Sequence, residues 1–266
     1  MKYTNYYNDY YSQISKSKAH AVFCEKVYGR NFCQEGMLTQ LQLEKLIEIV
    51  KDGPCKNILE LGCGNGMLAE YIFDKTGAHI VGVDFSEEAI NQAMKRTFGK
   101  KEKIRFIQCN IEDINLIDGN FDMILAVDAL YDHFVDNIPE VLKKLRNLLA
   151  DDGKLVVFQS FIAEKEEDAG SLDAENTYIG KALTENGFHY SVTDFTQDDK
   201  DHWKLKIQTA KEMESIFAEE GNIELYNFQI NKAEKLLSYL EDKRGKRYFL
   251  NMNRKKIFQI YHKEEE

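Results

Sequence analysis

Proline is nearly absent: only Pro54 and Pro139 interrupt the 266 residues, which suits an α/β chain with few breaks. No apolar run approaches the length of a membrane span. The opening stretch MKYTNYYNDYYSQISK is polar and tyrosine-rich, without the apolar core of a secretion signal. No CxxC pair occurs. The five scattered cysteines, Cys24, Cys33, Cys55, Cys63 and Cys109, suit buried free thiols in a reducing, cytoplasmic setting better than a disulfide framework, although Cys24 and Cys33 could sit near each other. An excess of positive charge is also missing. The formal net charge of −10 argues against a nucleic-acid-binding face and mildly favours a cationic small substrate. No internal repeat is visible, and no His/carboxylate cluster has metal-ligand spacing, so no metal is expected.

What is present is globular: 43% of residues are hydrophobic and 30% charged, enough for a sizeable core. Strand-like stretches NILELG, AHIVGVD, KIRFIQCNI, FDMILAVDAL and KLVVFQSF alternate with amphipathic helical ones. Ser86 is a natural N-cap for SEEAINQAMKRTF, and NIPEVLKKLRNLLADDG has one apolar side. A sixth strand, HYSVTDFT, and a last one, KKIFQIYHK, follow, with two helical segments between them. This order predicts an α/β, Rossmann-like, doubly wound fold with a mostly parallel seven-stranded sheet. An N-terminal helical lid takes residues 1–36, the core takes 37–195 and 251–263, and a helical insert takes 196–250 before the last strand. Ligands of such sheets bind at the carboxyl ends of the strands. The glycines after NILEL, then Asp84, Asn110 and Asp128, each follow a strand, so one sheet edge should collect all of them.

The glycine pattern discriminates between cofactors. A dinucleotide fold wants G-x-G-x-x-G, with the pyrophosphate on the helix N-terminus. In ELGCGNG the third glycine comes one residue early, and Glu60 just before the first would repel a pyrophosphate and attract an ammonium group. An NAD enzyme is therefore disfavoured.

The stretches ELGCGNG, GVDFS, CNIED, FDMILAVDAL and LRNLLADDGKLVVF, between Asn57 and Phe161, resemble the class I S-adenosylmethionine-dependent methyltransferases. The resemblance implies that Glu60, Gly62, Cys63 and Gly64 face the methionine part of the cofactor and that Asp84 accepts from the ribose hydroxyls. Phe85 and Ile111 would sandwich the adenine, Asn110 would meet its amine, and Val127 would complete the wall. Each residue also has a local alternative: Asp84 as a strand end and helix cap, Asn110 as a turn residue, Glu60 as an exposed acid. The segment HAVFCEKVYGRNFCQEGM, the Asp-Ala after strand four and the helical insert are similar to phosphoethanolamine and glycine/sarcosine-type N-methyltransferases. That similarity implies a lid in which Tyr28 and Gln34 close over the cofactor and His20 approaches the acceptor; Tyr178, and Trp203 at the pocket mouth, are further candidates for the substrate side. A lone helix histidine such as His20 is more often structural, and packing is the default for Trp203. The acidic loop EKEEDAGSLDAE lacks the tyrosines and arginines that would grip a phosphobase, and the histidine after Asp128 is displaced by one position. The expectation therefore stops at a small-molecule N-methyltransferase-like enzyme that yields S-adenosylhomocysteine without a metal.

For the acceptor, VDALYDHF supplies Asp128, Tyr131 and His133. His133 could be a general base, or could begin a helix and face solvent; Tyr131 could line the methyl site, since aromatic faces stabilise cations, or pack beneath the helix. The basic cluster EDKRGKRYFLNMNRKK is by default a solvated face, with an anionic substrate or RNA as its alternative ligand. An RNA or protein methyltransferase remains a rival, although no D/N-P-P-Y/W element follows strand four. A non-catalytic cofactor-binding protein is another. The sequence gives no oligomeric state.

Overall fold

The computed structural model describes residues 3–33, 38–53 and 55–253. Three helices open the chain: α1 (Thr4–Ile14), α2 (Lys18–Tyr28) and α3 (Gln40–Lys51). The core follows as β1 (Asn57–Leu61), α4 (Met67–Thr76), β2 (His79–Asp84), α5 (Glu87–Arg96), β3 (Ile104–Gln108), β4 (Phe121–Val127), α6 (Ile138–Leu148) and β5 (Leu149–Ile162). After it come α7 (Tyr178–Glu185), β6 (Tyr190–Asp194), α8 (Thr196–Glu212), α9 (Glu214–Glu219), α10 (Ile223–Glu241) and β7 (Gly245–Asn253).

Local chemistry explains the helix starts. Ser86 Oγ accepts from the Ala89 amide, Thr39 Oγ1 from Gln42 and Asn137 Oδ1 from Glu140, each satisfying an amide that the helix leaves unpaired. Pro139 falls in the first turn of α6, where a missing N–H costs nothing. The inner strands are apolar on both faces because helices cover both. Along β1, Ile58 enters one buried cluster while Leu59 and Leu61 enter the other.

The seven strands lie in the order β3-β2-β1-β4-β5-β7-β6, with β1 to β5 parallel and β7 antiparallel to both β5 and β6. The chain reverses its direction of winding between β1 and β4, and the carboxyl ends of those strands flank a crevice. Because β7 runs the other way, its beginning reaches that rim: Arg247 pairs with Ser160 near the end of β5. This corrects the placement of the final strand. It is Gly245–Asn253, inside the region assigned to the insert, and KKIFQIYHK lies outside the described residues. The helical insert occupies α8 to α10, which pack on one another and on α2, while α1 packs on α5. Together they roof the crevice.

Candidate active site

At the donor end of the crevice the backbone turns sharply. Gly62 has φ +63 and Gly66 φ +73, the left-handed region that only glycine adopts freely. A Cβ on Gly62 would stand 2.8 Å from the Ala129 side chain, and one on Gly66 would enter the Phe106 ring at 2.3 Å. The turn places two carboxylates against each other. Asp84 accepts from the Gly64 amide at 2.9 Å and the Ser86 amide at 2.8 Å. Burial pushes its carboxyl up to about 6, against the pull of those amides. Glu60 is only 2% exposed, which excludes the exposed strand-end reading. Burial first, then the Asp84 charge, push it up to about 8, and its Oε2 has no hydrogen-bond partner. An orphaned buried acid facing a cavity fits a cationic ligand such as the α-ammonium of S-adenosylmethionine.

Beside the acids a group of aromatic rings lines the cavity. Tyr7 lies 5.4 Å from Phe85 and 5.9 Å from Phe134, ring centre to ring centre. Asn110 realises its turn alternative, since its Oδ1 accepts from the Glu112 amide at 3.4 Å and caps a short 3-10 turn; it also lines the cavity, with Ile111 next to it.

At the acceptor end Asp128 leaves β4 with φ +50, a conformation that aspartate tolerates better than most residues. Its Oδ1 accepts from the Tyr131 hydroxyl at 2.8 Å and from Arg247 Nη1. Arg247 is buried at 2% exposure and also donates to Ser160 Oγ and Gln42 Oε1, each at 3.2 Å. Burial alone would lower its pKa, but Asp128 and Asp199 hold it above its ordinary value. Asp199 accepts from Trp203 Nε1 at 2.9 Å. His202 is pulled down to about 3 by burial, Lys206 and Arg247, so it is a neutral ring, 4.8 Å from Tyr28. Burial and Asp128 raise the Tyr131 hydroxyl well above its ordinary range, so it stays a donor. His133 stacks on Tyr131 at 5.3 Å with its side chain 52% exposed, half in the wall and half in solvent.

Both ends belong to one cavity of about 370 Å³. Its wall brings together Tyr28, Glu60, Gly62, Asp84, Phe85, Asn110, Ile111, Val127, Asp128, Tyr131, His133 and Trp203 from the residues singled out in the sequence. Four others lie elsewhere. Cys63 is buried behind the turn and Gly64 acts through its amide on Asp84, so neither lines the cavity. His20 does not reach the acceptor: it is buried between Cys24 and Gln229 because its helix turns that face to α10. Tyr178 is not in the wall either; its hydroxyl donates to the Leu130 carbonyl and accepts from Gln159, tying α7 to the sheet. Gln34 lies outside the described residues. Sequence reasoning missed Tyr7, Tyr11, Phe134, Asp199, His202 and Arg247 in the wall. The i, i+4 tyrosines of α1 were a signal for the first two; Arg247 was hidden inside a basic run.

Comparison with known proteins agrees with this architecture. Residues 58–153 match the methyltransferase domain family. The phosphoethanolamine N-methyltransferase of Triticum aestivum is 24% identical over 204 residues, 71% of this chain and 38% of that protein. That of Plasmodium falciparum (isolate 3D7) is 28% identical over 142 residues, 53% of this chain and 52% of that one. The chain thus spans about half or less of the length of these curated relatives. Among solved structures, phosphoethanolamine N-methyltransferase 2 of Haemonchus contortus, in complex with phosphomonomethylethanolamine and S-adenosylhomocysteine, superposes with a TM-score of 0.70 at 17% identity over 93% of this chain and 60% of its own. The cyclopropane synthase MmaA2 of Mycobacterium tuberculosis gives 0.70 at 14% identity over 93% and 98%. These structural similarities establish the fold. The matched segment holds ELGCGNG, Asp84, Asn110 and Asp128, so the residues that turn around the Glu60–Asp84 end of the crevice lie in the part of the chain that is similar to methyltransferase domains.

Proposed function

We propose that the protein transfers a methyl group from S-adenosylmethionine to a nitrogen of a small molecule. The observation that carries this reading is the single roofed cavity that runs from the Glu60–Asp84 pair to the Asp128–Tyr131–Arg247 group. When bound, the cofactor supplies a methyl group on a sulfonium, already an activated electrophile. Glu60 would hold its ammonium, Asp84 its ribose, and Phe85, Asn110 and Ile111 its base.

The protein's own part is alignment, proton handling and exclusion of water. Positioning of a nucleophile in line can supply roughly 7–11 kcal/mol. An amine attacks only after losing its proton. Asp128, oriented by Tyr131 and Arg247, is the carboxylate at hand for that proton, and half-exposed His133 offers it a way to solvent. Tyr131, Trp203 and the neutral His202 give the cationic product amine aromatic faces to rest against.

The charge pattern favours this acceptor class over RNA. Within the basic cluster Arg247 is buried on Asp128, Lys246 pairs with Asp194 at 3.0 Å and Arg244 with Asp242 at 2.8 Å. These three cations are spent on the fold; Arg254, Lys255 and Lys256 of the same cluster lie outside the described residues. The five free thiols support a reducing compartment, and among the described residues no helix is long and apolar enough to cross a membrane. The test combines calorimetry using S-adenosylhomocysteine with a radiolabelled methyl-transfer screen over amines, small acids and total RNA. One-to-one binding and label on an amine are expected. Absence of both heat and any rise in melting temperature would end the proposal; label on RNA alone would replace the acceptor.

A further inference from the structure

Behind the cavity wall, at the contact of α2 with α10, three metal-ligating side chains converge without a role in the reaction above. His20 and Cys24 are one helical turn apart on the same face of α2, and His20 Nδ1 stands 3.4 Å from Cys24 Sγ. Cys33 reaches back to them from the turn after α2, at φ +44, a backbone conformation that an L-residue adopts at a cost. The three donor atoms lie within 4.8 Å of one another, and all three residues are buried.

We infer that His20, Cys24 and Cys33 bind one thiophilic d10 metal ion, zinc(II) in the first place, which clasps α2 to the turn that carries Phe32 into the cavity wall. Two cysteines and one histidine are a set that zinc takes with its fourth position filled by a water. Zinc–sulfur bonds of about 2.3 Å and zinc–nitrogen bonds of about 2.0 Å separate tetrahedral donors by about 3.5–3.8 Å. The observed cluster needs only a small contraction to reach that spacing. The rest of the surroundings agree. Gln229 Nε2 stands 3.3 Å from the other ring nitrogen; with that amide turned end for end, its oxygen takes the Nε2 proton and the Nδ1 lone pair faces the cysteines. Binding displaces two thiol protons; the two thiolates then balance the dication, and the neutral imidazole adds no charge. The site is separate from the acceptor end and supplies nothing to methyl transfer.

The test uses the full chain, purified under reductant and stripped with a chelator. Cobalt(II) should produce a thiolate-to-metal charge-transfer band that saturates at one equivalent and bleaches when zinc displaces it. In the unmodified protein, zinc should slow alkylation of Cys24 and Cys33 by at least about tenfold while leaving Cys109 unprotected. Cys33→Ser, a change on a turn rather than in a helix, should weaken metal binding by at least about 100-fold, beyond the 10–100-fold that outer partners cost. Cys109→Ser should leave it unchanged. A missing cobalt band, a band that survives Cys33→Ser, unchanged alkylation rates, or a Cys24–Cys33 disulfide in the reductant-treated protein would overturn the inference.

Discussion

At the donor end, the amide of Gly64 and the carboxylate of Asp84 that accepts from it are 20 residues apart in the chain; at the acceptor end, Asp128 and Arg247 are 119 apart. The first arrangement is built by one strand–turn–helix unit and its neighbour. The second needs the whole topology, including a final strand that enters the sheet backwards. Their electrostatics differ in the same way. The donor end holds two acids, Glu60 and Asp84, neither of which pairs with a cation among the described residues; the proposed donor's ammonium would supply one. The acceptor end brings its own cation: Arg247 serves Asp128 directly and Asp199 through its field. A short-range motif thus makes an unfinished site, whereas a long-range assembly makes one already balanced.

The sharpest way to break this comparison is at Asp84. The two charge-assisted ribose bonds proposed for Asp84, at about 1.5–3 kcal/mol each, mean that Asp84→Ala should weaken S-adenosylhomocysteine binding by at least about 100-fold in calorimetry. The Gly64 and Ser86 amides would lose their acceptor too, so some stability should go with it. Unchanged affinity would remove Asp84 from the donor site. Next comes Arg247→Met, which leaves Asp128 and Asp199 buried without a counter-charge. Breaking a buried pair costs about 3–5 kcal/mol, so the melting temperature should drop sharply. At a temperature where the variant is folded, turnover should fall while adenosylhomocysteine affinity stays within a few-fold. Equal loss of both would mean that the two ends are not separable.

A third test titrates Glu60. Its folded carboxyl ionises near pH 8 instead of near 4.5, so between those values the ligand-free folded state holds a proton that the unfolded chain has lost. Its contribution to stability must therefore fall as pH rises through that window and level off above about 8. A bound ammonium reverses the preference. Binding near pH 7 should release close to one proton, read from calorimetry in buffers of different ionisation enthalpy, and Glu60→Gln should abolish the release. The smallest effect is expected at Tyr131. Tyr131→Phe removes one hydrogen bond to Asp128, worth about 1 kcal/mol, so turnover should decline about fivefold with donor affinity intact. His133→Ala, on a half-exposed ring, should cost no more than that.

The same contrast explains what could be read in the sequence. ELGCGNG, Asp84 and the strand-end positions Asn110 and Asp128 were legible because each is set by a local rule: glycine for a left-handed turn, an acid or amide at the end of a parallel strand. Ser86 as a helix cap was legible for the same reason. Arg247 was not. Its own neighbourhood is a polar, basic stretch, and only pairing with β5 reveals that this stretch is a buried strand. The final strand was expected at KKIFQIYHK, which lies outside the described residues; the strand that completes the sheet, Gly245–Asn253, lies in a stretch read as insert, where tertiary context and not local pattern decides. Trp203 and Tyr28 reached the cavity while His20 and Tyr178 did not, because a helix has several faces and periodicity cannot say which of them meets the pocket.

The tether of the roof has a mechanical consequence. Asn8 of α1 accepts from Ser86 Oγ at 2.7 Å and from the Glu88 amide at 3.3 Å, two and four residues beyond Asp84. The helix cannot lift without letting go of the very loop whose acid would grip the nucleoside. Gln92 Nε2 adds a second tie, donating to the Tyr11 carbonyl at 3.0 Å, so under the proposed function departure of the spent donor would share its barrier with unlatching two side chains.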